Sequence, residues 1–244
     1  MISAEGLRDK LFGPEDYPYK IYEKKIDSAL KQTDIVLDAG CGRQAPLLKE
    51  FRGKAKMLIG ADVEERMVKE EGISLMECDI SNVCLKDESV DLVISRSVLE
   101  HLKQPLAVYK ELNRILKPGG SFIFLVPNLG HYASLLSLLI PDRYHAGVLK
   151  PTGERQKDDF FPVYYKSNTY SAIKRLSKMT GFEISDFQYL GQYPYYFMFS
   201  TFLFLVASAY IKIINRWNCF AFLRGCIFAH LTKKGYIAEK ISIA

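Results

Sequence analysis

The chain has 244 residues, of which 48% are hydrophobic, 25% charged and 13% aromatic, enough for one sizeable α/β domain or two small ones. There is no low-complexity tract or internal repeat, and the five cysteines form no CxxC pair, which argues against a disordered chain, a zinc site and a disulfide framework. The net charge of +5 sits in the last fifth, where six Lys or Arg from Tyr195 onward face one acid, Glu239, and 27 residues of each sign precede them.

That distribution differs from the broad basic face of a nucleic-acid binder, so no nucleic-acid partner is expected. Lying beside the most apolar stretch, it points to an anionic membrane surface. The opening MISAEGLRDKLFG is charged and lacks an apolar core, so no secretory signal is expected.

In chain order, residues 17–32 carry apolar positions at helical spacing and predict a helix. The segment 35-IVLDAGCGRQAPLL-48 follows: a short buried strand over 35–37 ending at Asp38, a glycine turn, and a helix over 45–52. Further strands are predicted over 57–61, ending at Asp62, and over 73–77, ending at Cys78-Asp79. A fourth covers 90–95 and ends at Ser95. A helix over 104–116 has Pro105 in its first turn and stops at 117-KPGG-120, a turn signal, before a fifth strand over 121–126. Beyond Asn128 come an apolar segment (134-SLLSLLI-140), a polar loop (150–162), a helix over 167–180 closed by Gly181, and strands over 182–190 and 226–233. Strands alternating with helices imply right-handed βαβ units and a parallel sheet, whose ligands gather at the carboxyl ends of the strands. Asp38, Asp62, Asp79 and Ser95 all stand at such ends.

The glycine turn lets the backbone approach a ligand closely, and the next helix offers free N–H groups to an anionic group. Dinucleotide turns place glycine first, and a carboxylate at 38 would repel a pyrophosphate. A ligand carrying an ammonium group would welcome it. Asp38, Asp62 and Asp79 are also suited to capping helices, which is the alternative reading of each.

Two elements, VLDAGCGRQ at 36–44 and 98-VLEHLKQPLAVYKELNRILKPGG-120, stand in the order and spacing of one known group. The chain resembles the class I S-adenosylmethionine-dependent methyltransferases, in the methyltransferase type 11-like subgroup, well over residues 33–128 and more loosely beyond. The resemblance implies a Rossmann-like seven-stranded sheet, mostly parallel with the last strand antiparallel. Helices would cover both faces, and an apolar helical insertion would precede the last strand. It divides a single domain (1–244) into a cofactor-binding core (33–128), a substrate-side insertion (129–166) and the apolar insertion (191–222).

It also implies S-adenosyl-L-methionine as cofactor, with no metal. Asp38, Gly40 and Gly42 would line its methionine part and Asp62 would accept from its ribose hydroxyls, with Cys41 and Val63 also among the cofactor-binding residues. Asp79 would face the adenine amino group, with Cys78 and Ile80 beside the ring. Ser95 and Arg96 would lie near the transferred methyl. Gln44 departs from the subgroup's third glycine. The transfer needs proximity and in-line orientation, and an oxygen or nitrogen acceptor also needs a base. His101 is the candidate base, although a structural role within the LEHL element is the competing reading. His131 and His145, with Tyr132, Tyr144, Asp158 and Asp159, read either as acceptor-site or as solvated loop residues. Glu100 reads as fixing the local turn, and Tyr17, Tyr19 and Tyr22 as helix packing or as a lid.

Residues 190–211 contain no charge, with Tyr193, Tyr195 and Tyr196 near one end and Lys212, Arg216 and Trp217 beyond the other. The length approaches the roughly 20 residues of a bilayer span. A strand at 226–233 returning to the sheet would forbid a single crossing, leaving a buried, interfacial or dimerising helix. The expected protein is cytoplasmic, with peripheral contact at the inner face of the membrane. The expected reaction is methyl transfer to an oxygen of a small-molecule acceptor that is lipid-linked, glycan or quinone-like. A non-catalytic cofactor-binding or scaffold relative is the alternative.

Overall fold

The computed structural model describes residues 3–139 and 162–235. Seven strands form one sheet: β1 Ile35–Ala39, β2 Met57–Asp62, β3 Ile73–Glu77, β4 Val90–Arg96, β5 Leu116–Pro127, β6 Phe182–Leu190 and β7 Cys226–Lys233. Their spatial order is β3-β2-β1-β4-β5-β7-β6, and β7 alone runs antiparallel, pairing with both β5 and β6. The expected sheet is therefore present. The order reverses at β1, where β2 and β4 pair on either side, so ligands are expected above its carboxyl end.

The helices are α1 Ala4–Leu11, α2 Pro18–Ala29, α3 Pro46–Lys49, α4 Pro105–Ile115, α5 Tyr132–Leu139, α6 Tyr170–Met179 and α7 Thr201–Arg216. Strand alternation sends Val36, Leu58, Leu92, Ile94, Ile123 and Leu125 to one face, under Tyr22 and Ile26 of α2 and Leu47 and Leu48 of α3. Leu37, Ile59, Val93, Phe122 and Phe124 go to the other, under Val108, Tyr109 and Leu112 of α4 and Ile173 and Leu176 of α6. Burial on both faces explains why these strands read as unbroken apolar runs.

Three elements differ from the sequence reading. Helix α3 is a single turn, because Ala45 before it adopts φ 43° and the chain turns again after Glu50. The KPGG stretch lies within β5, as a bulge that lets Val90 face Leu116 and Leu92 face Ser121, with Gly119 at φ 77°. Helix α1 was not anticipated; Ala4 and Phe12 beside it pack on Phe204 and Ile211 of α7. The apolar segment forms α7 before β7, 16 residues long, and among the described residues no helix is long and apolar enough to cross a membrane. Tyr144, His145, Asp158 and Asp159 lie outside the described residues.

Helix α2 is joined to the sheet centre by one fully buried hydroxyl. Tyr22 Oη donates to the Ser95 carbonyl (2.9 Å) and accepts from the Ser95 N–H (3.0 Å). Replacing Tyr22 by Phe removes these buried hydrogen bonds from the core, so Tyr22→Phe is expected to lower unfolding stability by about 1–3 kcal/mol in a urea titration.

Candidate active site

The loop after β1 folds back onto the end of β2. The N–H groups of Gly40 and Cys41 both donate to the Ala61 carbonyl, at 2.8 and 3.2 Å. Gly40 has φ 89°, and a Cβ there would lie 2.2 Å from Val98 Cγ2, so no other residue fits. Gly42, at φ 67°, has nothing within 4 Å of where its Cβ would be, leaving room for close approach to its backbone. The Gly42 N–H donates to Asp62 Oδ2 (2.7 Å), and the Glu64 N–H to Asp62 Oδ1 (3.0 Å), so Asp62 clamps both loops at the end of β2. Cys41 packs beneath the loop against Gly60, where a Cβ would meet its sulfur at 2.7 Å.

Asp38 is buried beside this loop. Burial pushes its carboxyl up to about 7; the Arg96 guanidinium pulls it down and Asp62 raises it further. Arg96 in turn sits 4.9 Å from the Tyr19 ring centroid and 3.4 Å from Glu23 Oε1. A carboxyl held protonated up to about pH 7 binds more protons folded than unfolded between about pH 4 and 7. The unliganded protein should therefore lose stability as pH rises across that window, and Asp38→Asn should flatten the loss, as measured by thermal unfolding at stepped pH.

A cleft of about 1240 Å³ opens above these strand ends. Asp38, Gly40, Cys41, Gly42, Asp62, Val63, Asp79, Ile80, Arg96 and His101 all line it, brought together from positions up to 63 residues apart. Gln44 lines it too, so the missing glycine becomes a side chain at the cleft wall. Asp62 and Asp79 each accept from the N–H two residues on, Asp79 Oδ1 from Ser81 at 2.7 Å, and so shape turns, not helix starts.

Two of the sequence-derived residues are placed elsewhere. Ser95 is buried, its hydroxyl donating to the Ala39 carbonyl (2.7 Å), which braces β4 against β1 beneath the cleft. Cys78 is outside the lining and ties β3 to β2 through its N–H on the Asp62 carbonyl (2.8 Å).

On the far side of the cleft, His101 Nδ1 lies 2.9 Å from the Pro162 carbonyl. A carbonyl only accepts, so Nδ1 carries the proton and Nε2 holds the lone pair when the ring is neutral. Nε2 lies 3.9 Å from Oε1 of buried Glu100. His131 also lines the cleft; burial lowers its pKa to about 4, so it is neutral at pH 7. Of the three α2-region tyrosines, Tyr22 is core and Tyr19 reaches the cleft. Sequence reasoning did not single out Gln192, Ser134, Ser137, Tyr165 or Cys226, which complete the lining. They come from α5, β7 and the loops around Tyr165 and Gln192, and the sequence signalled that wall only through the substrate-side insertion (129–166) and the YPYYF run containing Tyr195 and Tyr196.

A buried carboxyl facing a Cβ-free backbone cradle, with two further carboxylates along the next strand ends, suits a ligand that is cationic at one end and rich in donors along its length. Residues 37–124 match the profile of the family described as Methyltransferase domain. Residues 37–124 form a class I S-adenosylmethionine-dependent methyltransferase domain.

Among relatives, the chain is 36% identical over 104 residues to a malonyl-[acyl-carrier protein] O-methyltransferase of a Marinomonas species, covering 39% of this chain and 38% of that one. It is 29% identical over 133 residues to a ubiquinone biosynthesis O-methyltransferase of Idiomarina loihiensis, covering 50% and 54%. The chain thus spans about two fifths to half the length of these curated relatives. The fold is also that of a geranyl diphosphate methyltransferase solved with GPP and sinefungin, with TM-score 0.60 and 11% identity over 87% of this chain and 78% of that one.

Proposed function

We propose that the chain transfers a methyl group from S-adenosylmethionine to an oxygen of a small-molecule acceptor, a lipid-linked, glycan or quinone-like intermediate, at the inner face of a membrane. The observation that carries this reading is the buried Asp38 carboxyl under the Gly40–Gly42 backbone, at the point where the strand order reverses. When bound, the cofactor would supply a sulfonium whose methyl carbon is open to in-line attack, with the neutral thioether as leaving group. Asp38 would hold the ammonium of its methionine part while the Gly42 backbone lies against it. The oxygens of Asp62, each already accepting one backbone N–H, retain lone pairs for ribose hydroxyls. Asp79 would take the adenine amino group, with Val63 and Ile80 along the ring. Ser95 and Cys78 act by bracing the strand ends that carry these groups.

His101 Nε2 would take the proton from the acceptor hydroxyl, and the nearby Glu100 carboxylate would favour the imidazolium formed. The O-methyltransferase names of two relatives agree with an oxygen acceptor.

Calorimetric titration with S-adenosylmethionine tests the cofactor half. Asp38 must ionise to pair with an ammonium, so affinity should rise as pH climbs from 5.5 to 7.5, by up to about tenfold per unit below pH 7, and level off above. Asp62→Ala should weaken binding strongly. No binding at pH 7.5 would refute the assignment.

The catalytic half is tested with methyl-labelled cofactor and fractionated host extracts. Once an acceptor pool is found, His101→Gln should lower kcat by about 10²–10⁴ and remove the acid limb of the rate profile, with cofactor affinity unchanged. An unchanged profile would make His101 a packing residue, and labelling of no pool would favour a non-catalytic relative.

A further inference from the structure

Helix α7 has an unusual surface. Phe204, Ile211 and Ile214 face inward, which ordinarily leaves the outer face to charged residues. Here the outer face is also apolar: Phe202 is 73% exposed and Ile213 56%, with Val206 between them. The only charges on the 16-residue helix are Lys212 and Arg216 near its end. Helix α5 adds Leu135, Leu136 and Leu138, all exposed. Tyr132 joins the two helices, its ring 6.0 Å from Phe197 and 6.1 Å from Tyr210.

The same elements form the cleft wall. Tyr195 and Tyr196 before α7, and Ser134 and Ser137 of α5, line the site, so the apolar surface continues into the cleft mouth.

We infer that the outer faces of α5 and α7 seat the protein on an anionic lipid surface, with α7 lying in the plane of the interface and the cleft mouth opening toward the acyl region. Charge selects this occupant. No acidic residue occurs from Phe187 to Gly235 or along α5, so α5 and α7 contribute only cations to the face, Lys212 alone of them lying near a carboxylate, Asp16. Arg216 is exposed, and Lys212 is about half exposed while it lies 3.7 Å from Asp16. A second copy seated on this face would bring like charges together, whereas lipid phosphates complement them. Aromatic placement agrees: Tyr210 and Trp217 stand exposed near the basic end, where amphipathic rings suit the headgroup level. A helix of 16 residues, about 24 Å long, lies on a bilayer and does not cross it.

If the methyl-transfer reading holds, the acceptor class follows: an amphiphile whose tail stays in the bilayer while its hydroxyl enters between α5 and α7. The docking itself stands apart from that reading.

Co-sedimentation of the full chain with extruded vesicles tests it, comparing phosphatidylcholine alone with phosphatidylcholine containing phosphatidylglycerol. The wild type should pellet with the anionic vesicles and far less with the zwitterionic ones. Phe202→Glu combined with Ile213→Glu should lower the bound fraction by about tenfold or more, with thermal unfolding and S-adenosylmethionine affinity unchanged. Failure to pellet with either vesicle, equal partition into both, or wild-type binding by the double variant would each overturn the inference. So would a dimer in sedimentation velocity that the double variant dissolves while vesicles leave the wild type unbound. Vesicle binding that depends on this face, without any cofactor binding, would uphold the docking and refute the methyl-transfer reading.

Discussion

The cleft depends on one constraint: the loop after β1 must stay pinned to the end of β2. Three N–H groups do this, Gly40 and Cys41 on the Ala61 carbonyl and Gly42 on the Asp62 carboxylate. Because Gly40 lies against Val98, the loop also sets how closely the segment after β4 can approach. Asp38 is consequently enclosed with its carboxyl near its neutral form, its charge waiting on a cationic partner. Position, shape and electrostatics at the site therefore share a single cause, the backbone of three consecutive small residues.

Polar residues at the strand ends divide into two layers. Asp38, Asp62, Asp79 and Arg96 reach the cleft, whereas Ser95 and Cys78 lie beneath or beside it and hold neighbouring strands together. Ser95 is the clearest case. Its backbone meets Tyr22 of α2 and its hydroxyl meets Ala39, so one residue couples a helix, β4 and β1 under the ligand position. A buried polar group so fully engaged rigidifies the floor of the site.

The outer helices raise a different physical problem. Helix α7 has a packed inner face, supplied partly by α1, and an outer face that water solvates poorly. A fold can satisfy only one of two apolar faces from within; the other has to be met from outside. Its continuity with the cleft through Tyr195, Tyr196 and α5 links that requirement to the substrate side.

The seven strands, five of the seven α-helices among the described residues, and the glycine turn with its three carboxylates were legible in the sequence, while α5 read only as an apolar segment, because strand ends, apolar runs and glycines are local signals. Helix α1 escaped because it is short and gains its stability from α7, about 200 residues away in the chain. The KPGG stretch read as a turn because its bulge is imposed by pairing with β4, which local sequence does not encode. Which strand-end side chains face the cleft, in contrast, follows from the folded pleat. Ser95 and Arg96 are neighbours in sequence and alternate across the pleat, so one goes to the floor and the other to the site. Likewise His101 gained a defined tautomer only through Pro162, a carbonyl 61 residues away that no local pattern could have supplied.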